Sequence, residues 1–181
     1  MLEFRTNGTL TGKGKNLSGY AAVFNSEANL GDFNEVIRPG AFAKSLATGS
    51  NIRALYHHDA HALLGTTQGR SLQLREDSHG LAFNLVLPNT THGRDLEALV
   101  TRGDVQGCSF GFRVAPGGDR WETSSNGKTL RELLDVQLTE ITLTADPAYL
   151  DTTIALRCLK DFRKAEYLGS PALHMLWLET C

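Results

Sequence analysis

The chain has 181 residues, 41% of them hydrophobic and 21% charged, which is enough for one well-buried core but not for two ordinary domains, and is not the composition of a disordered chain. A net charge of −2 offers no concentrated basic surface for phosphate, so nucleic acid is not an expected partner. The N-terminus Met-Leu-Glu-Phe-Arg-Thr-Asn-Gly lacks the apolar core of a signal peptide, and no apolar run approaches membrane-spanning length, so an intracellular protein without a membrane partner is expected. Three cysteines, Cys108, Cys158 and Cys181, are odd in number and lack metal-ligand spacing, which predicts reduced thiols and neither a disulfide framework nor a zinc site.

In chain order, Leu2 to Thr6 and Leu17 to Phe24 read as strands joined by a Gly-rich turn over Asn7 to Lys15. Pro39, Gly40 and Ala41 open a short helix with Phe42 and Leu46 on one face, and Gly49 stops it. Strands are predicted at Ile52 to Tyr56, Leu63 to Thr67, Ser71 to Arg75 and Leu81 to Leu87, with turns at His58 to Ala62, Thr67 to Arg70 and Glu76 to Gly80. A second helix is capped by Thr91, carries Leu96, Leu99 and Val100 as its apolar stripe, and ends at Gly103.

The next segment, Gly103-Asp-Val-Gln-Gly-Cys-Ser-Phe-Gly-Phe-Arg-Val114, carries the chemistry. Because side chains alternate along a strand, Cys108, Phe110, Phe112 and Val114 form an apolar face while Gly107, Ser109, Gly111 and Arg113 point the other way. One hydroxyl thus stands between two glycines, where another backbone can come close. Residues 117 to 128 read as a polar loop, and Thr129 to Thr144 as one extended stretch ending at Asp146-Pro147. Within it the apolar parity changes between Val136/Leu138 and Ile141/Leu143, which either a bulge near Thr139 or Glu140 or burial on both faces accounts for. After residue 158 the composition changes: a basic cluster, the break Gly169-Ser170-Pro171 and an apolar group around Trp177 read as an appendage.

Of six histidines, His57, His58 and His61 cluster in Tyr56-His57-His58-Asp59 and just beyond. A metal reading lacks the partner ligands. A serine hydroxyl needs a base to take its proton, and that base needs a third group to fix its tautomer and stabilise the imidazolium. Ser109 and a histidine satisfy the first requirement, and Glu140, Asp146, Asp59 and His79 are candidates for the second.

The pieces Arg38-Pro-Gly-Ala-Phe42, Leu55-Tyr-His-His-Asp59, Gly80-Leu-Ala-Phe83, Gly103 through Phe112 and Thr139-Glu-Ile-Thr-Leu-Thr-Ala-Asp-Pro-Ala148 resemble, in sequence and order, the prohead (capsid maturation) serine proteases of tailed bacteriophages, relatives of the herpesvirus assemblin proteases. The resemblance runs over roughly residues 2 to 157. It implies His58 as general base, Ser109 as nucleophile and Glu140 as the orienting third member. In the assemblin relatives that member is a second histidine after the serine, but here the only histidine beyond Ser109 is His174. The implied fold is mainly β with packed helices, a herpesvirus-protease-like closed or nearly closed barrel, with residues 1–158 as protease domain and 159–181 as a tail that is self-cleaved or capsid-targeting.

The implied activity is that of a serine endopeptidase cutting the major capsid protein or scaffold segment, and itself, inside the assembling prohead in the host cytoplasm. It implies no cofactor and no metal, and the assemblin likeness implies a homodimer. Two readings compete: an inactive scaffold or capsid-binding protein of the same fold, and a small-ester hydrolase. The ester hydrolase is disfavoured because the serine lies on a strand and not at a strand-to-helix elbow. Arg113, on the Ser109 face, is a candidate helper at the oxyanion position, but its reading as a solvated strand arginine is favoured.

Overall fold

Alternating runs dominate the chain, and in a computed structural model describing residues 2–125, 127–145, 159–160 and 162–164 they pair into two sheets. The strands are β1 (Glu3–Lys13), β2 (Asn16–Val23), β3 (Ala28–Asn29), β4 (Asn34–Ile37), β5 (Arg53–Tyr56), β6 (Asp59–Thr66), β7 (Leu72–Glu76), β8 (Gly80–Val86), β9 (Gly107–Val114), β10 (Asp119–Thr123), β11 (Thr129–Leu133) and β12 (Val136–Thr144). The helices are α1 (Ala43–Ala47) and α2 (Thr91–Arg102), so the protein is mainly β with few helices, as expected. The larger sheet runs β6-β5-β12-β9-β1-β2-β8-β7 and the smaller runs β10-β11-β4-β3. β6 and β7 are consecutive in the chain yet lie at opposite ends of the larger ladder, so the sheet is curled into a half-barrel whose two edges the 67–71 turn brings together. No ladder joins those edges among the described residues.

Several local expectations change. The opening hairpin is present, but β1 continues through most of the expected turn and pairs with β2 as far as Lys13 opposite Asn16. Thr90, one residue before the expected cap, closes the start of α2 by accepting from the Gly93 amide at 3.2 Å. Gly103 ends that helix in the left-handed conformation, φ 87°, where a side chain would be strained. The expected loop over 117–128 contains β10, and the single stretch over Thr129 to Thr144 is two strands in different sheets. The turn expected over His58 to Ala62 shrinks to two residues, with β6 starting at Asp59.

Phe110, Phe112, Ile141, Leu143, Leu81 and Phe83 lie on the inner face of the curled sheet, and Phe42 and Leu96 from the helices seal it. The smaller sheet is fixed to the larger by buried charge. Glu3 and Arg5 of β1, Glu35 of β4, Asp119 of β10 and Arg131 of β11 form one ion cluster, with Arg131 fully buried. Arg131 grips Glu3 through two nitrogens at 2.8 and 3.0 Å and Asp119 at 2.7 Å, while Arg5 reaches Glu35 at 2.6 Å. Every one of these charges has a partner, which is the condition for keeping it inside.

The expected tail begins on the body. Residues 159–160 and 162–164 are helical, Leu159 is buried, and Phe162 stacks on Trp121 with ring centroids 5.8 Å apart. Cys158, Cys181, Gly169 to Pro171 and Trp177 lie outside the described residues.

Candidate active site

Two neighbouring strands in the middle of the larger sheet, β9 and β12, set the site. Their antiparallel register places Ser109 opposite Thr142 and Gly111 opposite Glu140, with a shift between Leu138 and Glu140. That shift is the bulge expected from the parity change. By taking up Thr139 it turns Glu140 and Thr142 to the face that carries Ser109, while Ile141 and Leu143 return to the core. Burial on both faces is present too, since every residue of β12 from Glu140 on is buried.

The histidine arrives from the other side of β12, where β5 pairs in parallel with Arg53 opposite Glu140 and Tyr56 beside Leu143. His57 and His58 form the two-residue link between Tyr56 and Asp59, which pair across the β5–β6 hairpin. Both have left-handed backbone, φ 50° and 58°. A hairpin of two residues demands that conformation and is usually given Asn or Gly there, so two histidines in it store backbone strain. The turn is held by the His57 amide donating to the Leu143 carbonyl at 3.2 Å and by the contact of Thr144 Oγ1 with His57 Nδ1 at 3.0 Å. Of the adjacent pair, only His58 points at the serine.

Ser109 Oγ lies 2.6 Å from His58 Nε2, and His58 Nδ1 lies 2.9 Å from Glu140 Oε1. With Nδ1 protonated, the imidazole donates to Glu140 and presents its Nε2 lone pair to the hydroxyl. Thr142 Oγ1 sits 3.2 Å from the same Nδ1, and Arg53 Nη2 donates to the other carboxylate oxygen, Glu140 Oε2, at 3.2 Å. The Phe4 ring meets the imidazole edge-on, centroids 4.4 Å apart. A Cβ on Gly111 would come within 2.8 Å of both Glu140 Cγ and the Phe4 ring. The space beside the serine at Gly111 is therefore filled by this chain's own Glu140 side chain and Phe4 ring, and not left for an incoming backbone. Ser109 and Glu140 are 1% and 3% exposed, so the polar line runs in a largely water-free setting that strengthens each of its hydrogen bonds.

The other expected candidates fall elsewhere. Asp59 is exposed and accepts from the His61 amide. His79 packs edge-on against Tyr20, and Asp146 lies outside the described residues. Arg113 is exposed, on the same face as Ser109 but beyond Gly111, opposite Gln137. Cys108, next to the serine, faces the core as a free thiol, and burial pushes it up to about 12, so it is no competing nucleophile. Phe4, Arg53 and Thr142 are the contacts that sequence reasoning did not single out. Among the described residues, no group of three or more metal-ligating side chains gathers, and no helix is long and apolar enough to cross a membrane.

Three comparisons place this arrangement. The family described as caudovirus prohead serine protease matches residues 2–165. The prohead protease of Enterobacteria phage HK97 is 33% identical over 148 residues, which cover 80% of this chain and 62% of that relative. The solved structure of the bacteriophage T4 capsid assembly protease, gp21, superposes with a TM-score of 0.52 at 10% identity, over 80% of this chain and 97% of that one. The last likeness is one of fold alone.

Proposed function

Since the chain belongs to the caudovirus prohead serine protease family, we propose that it is a serine endopeptidase of capsid maturation in which Ser109 is the nucleophile, His58 the general base and Glu140 the orienting acid. The observation that carries this reading is the unbroken line from Ser109 Oγ through both nitrogens of His58 to Glu140 Oε1, at 2.6 and 2.9 Å. His58 Nε2 takes the hydroxyl proton as Ser109 Oγ bonds to the scissile carbonyl carbon, and Glu140 stabilises the imidazolium that results. The same imidazolium then protonates the leaving amine, the peptide bond breaks, and an ester on Ser109 remains. Water, deprotonated by His58, hydrolyses that ester and restores the serine.

The substrates we assign are the major capsid protein or scaffold segment and the protease itself, cut inside the assembling prohead in the host cytoplasm. What supports this is the naming of the HK97 relative as a prohead protease and of the T4 protein as a capsid assembly protease. This chain spans 62% of the HK97 relative's length, and its substrates are inferred, not transferred. An assemblin-like, nearly closed barrel, a homodimer and a tail beyond the body that is self-cleaved or capsid-targeting belong to the same reading.

A fluorophosphonate probe on wild-type and Ser109→Ala protein tests it. Labelling of the wild type that disappears in the variant is expected, and labelling that persists in Ser109→Ala, or its absence from the wild type, overturns the assignment. The inactive-scaffold alternative predicts no labelling in either protein.

A further inference from the structure

A cleft of about 660 Å³ opens beside the catalytic line, between α1 and the segment that leads into the β12 bulge. Arg53, Thr139, Gln137, Thr48 and Asn51 are among the residues that line it. Lys44 and Asp135 at its rim bond each other at 2.6 Å and cancel locally. Arg53 is different. Its Nη2 bonds Glu140 at 3.2 Å, yet its side chain remains 43% exposed, and among the described residues its Nε and Nη1 bond no other group.

The geometry points to this cleft as a substrate subsite for a carboxylate side chain, which accepts from the free donors of Arg53. This inference rests on the endopeptidase reading for its placement along a substrate. Charge decides the class of ligand: the guanidinium offers a forked pair of donors matched to a carboxylate, and would repel a lysine or arginine of the substrate. The side-chain amides of Asn51 and Gln137 supply further donors, whereas the hydroxyls of Thr48 and Thr139 are already donated to the Ser45 and Gly111 carbonyls, and the one acid lining the cleft, Asp135, is held by Lys44.

The path to the nucleophile is also set. Gln137, Thr139, Glu140 and Thr142 share one face of β12, and Thr142 is opposite Ser109. Arg53 on β5 is opposite Glu140, and Ser109 on β9 is opposite Thr142, so the two lie roughly 7 Å apart along the strands and about 10 Å apart across β12, which sets the acidic side chain of an extended substrate about three to four residues from the scissile bond. Occupation of Arg53 reaches the chemistry as well, because the same guanidinium holds the carboxylate that orients His58. A substrate acid therefore alters turnover as well as binding.

Peptides tiling the capsid protein, each with a twin in which Glu and Asp become Gln and Asn, are measured for binding to Ser109→Ala protein. Carboxylate peptides from the cut region are expected to bind roughly 10- to 100-fold tighter than their amide twins. That gap collapses in Gln137→Glu, an exposed position whose new charge repels the acid, and in Arg53→Gln, with a thermal melt checking that both variants fold. Equal affinity of the twins, or a gap that survives both substitutions, overturns the subsite. Wild-type turnover of the same peptides is read separately: failure to cut any of them counts against the endopeptidase, while the binding gap stands or falls on its own.

Discussion

Gly111 faces Glu140 across the β9–β12 ladder, and the carboxylate stem occupies the space that a side chain at 111 would take. A single methyl group there has only two ways out, through the Phe4 ring or through Glu140, and both support His58. Gly111→Ala is expected to lower kcat by about 100-fold, the cost of moving a catalytic group by roughly 1 Å. Folding, followed by near-ultraviolet circular dichroism, is expected to persist. Wild-type turnover in Gly111→Ala would mean that Glu140 does not orient the base.

Ser109→Ala and His58→Ala are each expected to reduce peptide cleavage by roughly 10⁴- to 10⁶-fold, as loss of a nucleophile or base does in serine proteases. His57→Ala, whose ring meets Thr144 and Tyr56 and not the serine, is expected to retain most of its activity. The reverse pattern would exchange the roles of the two histidines. Steady-state assays on one peptide substrate compare all three.

Glu140→Gln keeps the shape of the side chain but removes the charge facing His58 Nδ1 and Arg53. A loss in kcat of roughly 10²- to 10⁴-fold is expected, with KM changed far less. Thr142→Val removes a weaker partner of Nδ1, 3.2 Å away, and is expected to cost less than 10-fold, about the worth of one neutral hydrogen bond.

Arg131 faces three acids from inside the protein. Arg131→Met leaves Glu3 and Glu35 to Arg5 and Asp119 to the Trp121 indole N–H, and is expected to destabilise the fold by about 3–5 kcal/mol, the range for breaking a buried charge pair. Urea unfolding measures it. Equal stability would mean that packing alone joins the two sheets.

Acid is expected to loosen the same junction. Burial pushes the Glu3 carboxyl up, but Arg131 and Arg5 outweigh it and hold Glu3 below the ordinary glutamate value of 4.5. Glu132 behaves alike: burial raises it, and Arg38 and Arg120 draw it lower still. Stability from such groups is complete above about pH 4.5 and is lost as pH falls through their folded values. Asp119, raised chiefly by burial with Arg131 opposing, runs the other way and offsets part of the loss. Thermal midpoints are therefore expected to fall as pH drops below about 4.5, and the fall is expected to be shallower in Glu3→Gln. A midpoint that is flat or rising over that range would contradict the balance.

Ser109 was legible because β9 alternates cleanly, with an apolar residue at every second position. The change of parity in β12 was legible for the same reason and located the bulge. His58 was distinguishable from His57 only by motif, since two adjacent residues in a turn carry no periodicity. Phe4, Arg53 and Thr142 escaped because each reaches the site through register with a strand far away in sequence, which one chain read end to end does not display. The hairpin over β10 was hidden by its polar composition. The ion cluster was hidden by a sound rule, that charged residues face water, which fails where each charge meets its opposite.

Glu3 and Arg131 are 128 positions apart, and this distance has a bearing on timing. As the polypeptide emerges from the ribosome, Glu3 and Arg5 of β1 have only each other until β4 arrives, and the guanidinium that closes the cluster comes after Ser109 has been made. Phe4, which lies between Glu3 and Arg5 and packs edge-on against the His58 imidazole, is held opposite Gly111 by the β1–β9 ladder. Before Arg131 is made, β1 therefore rests on its ladders with β2 and β9, without the guanidinium that closes the charge cluster around Glu3 and Glu35. Glu140 comes later still, so on the proposed mechanism the full line from Ser109 through His58 to Glu140 exists only once most of the domain has been translated.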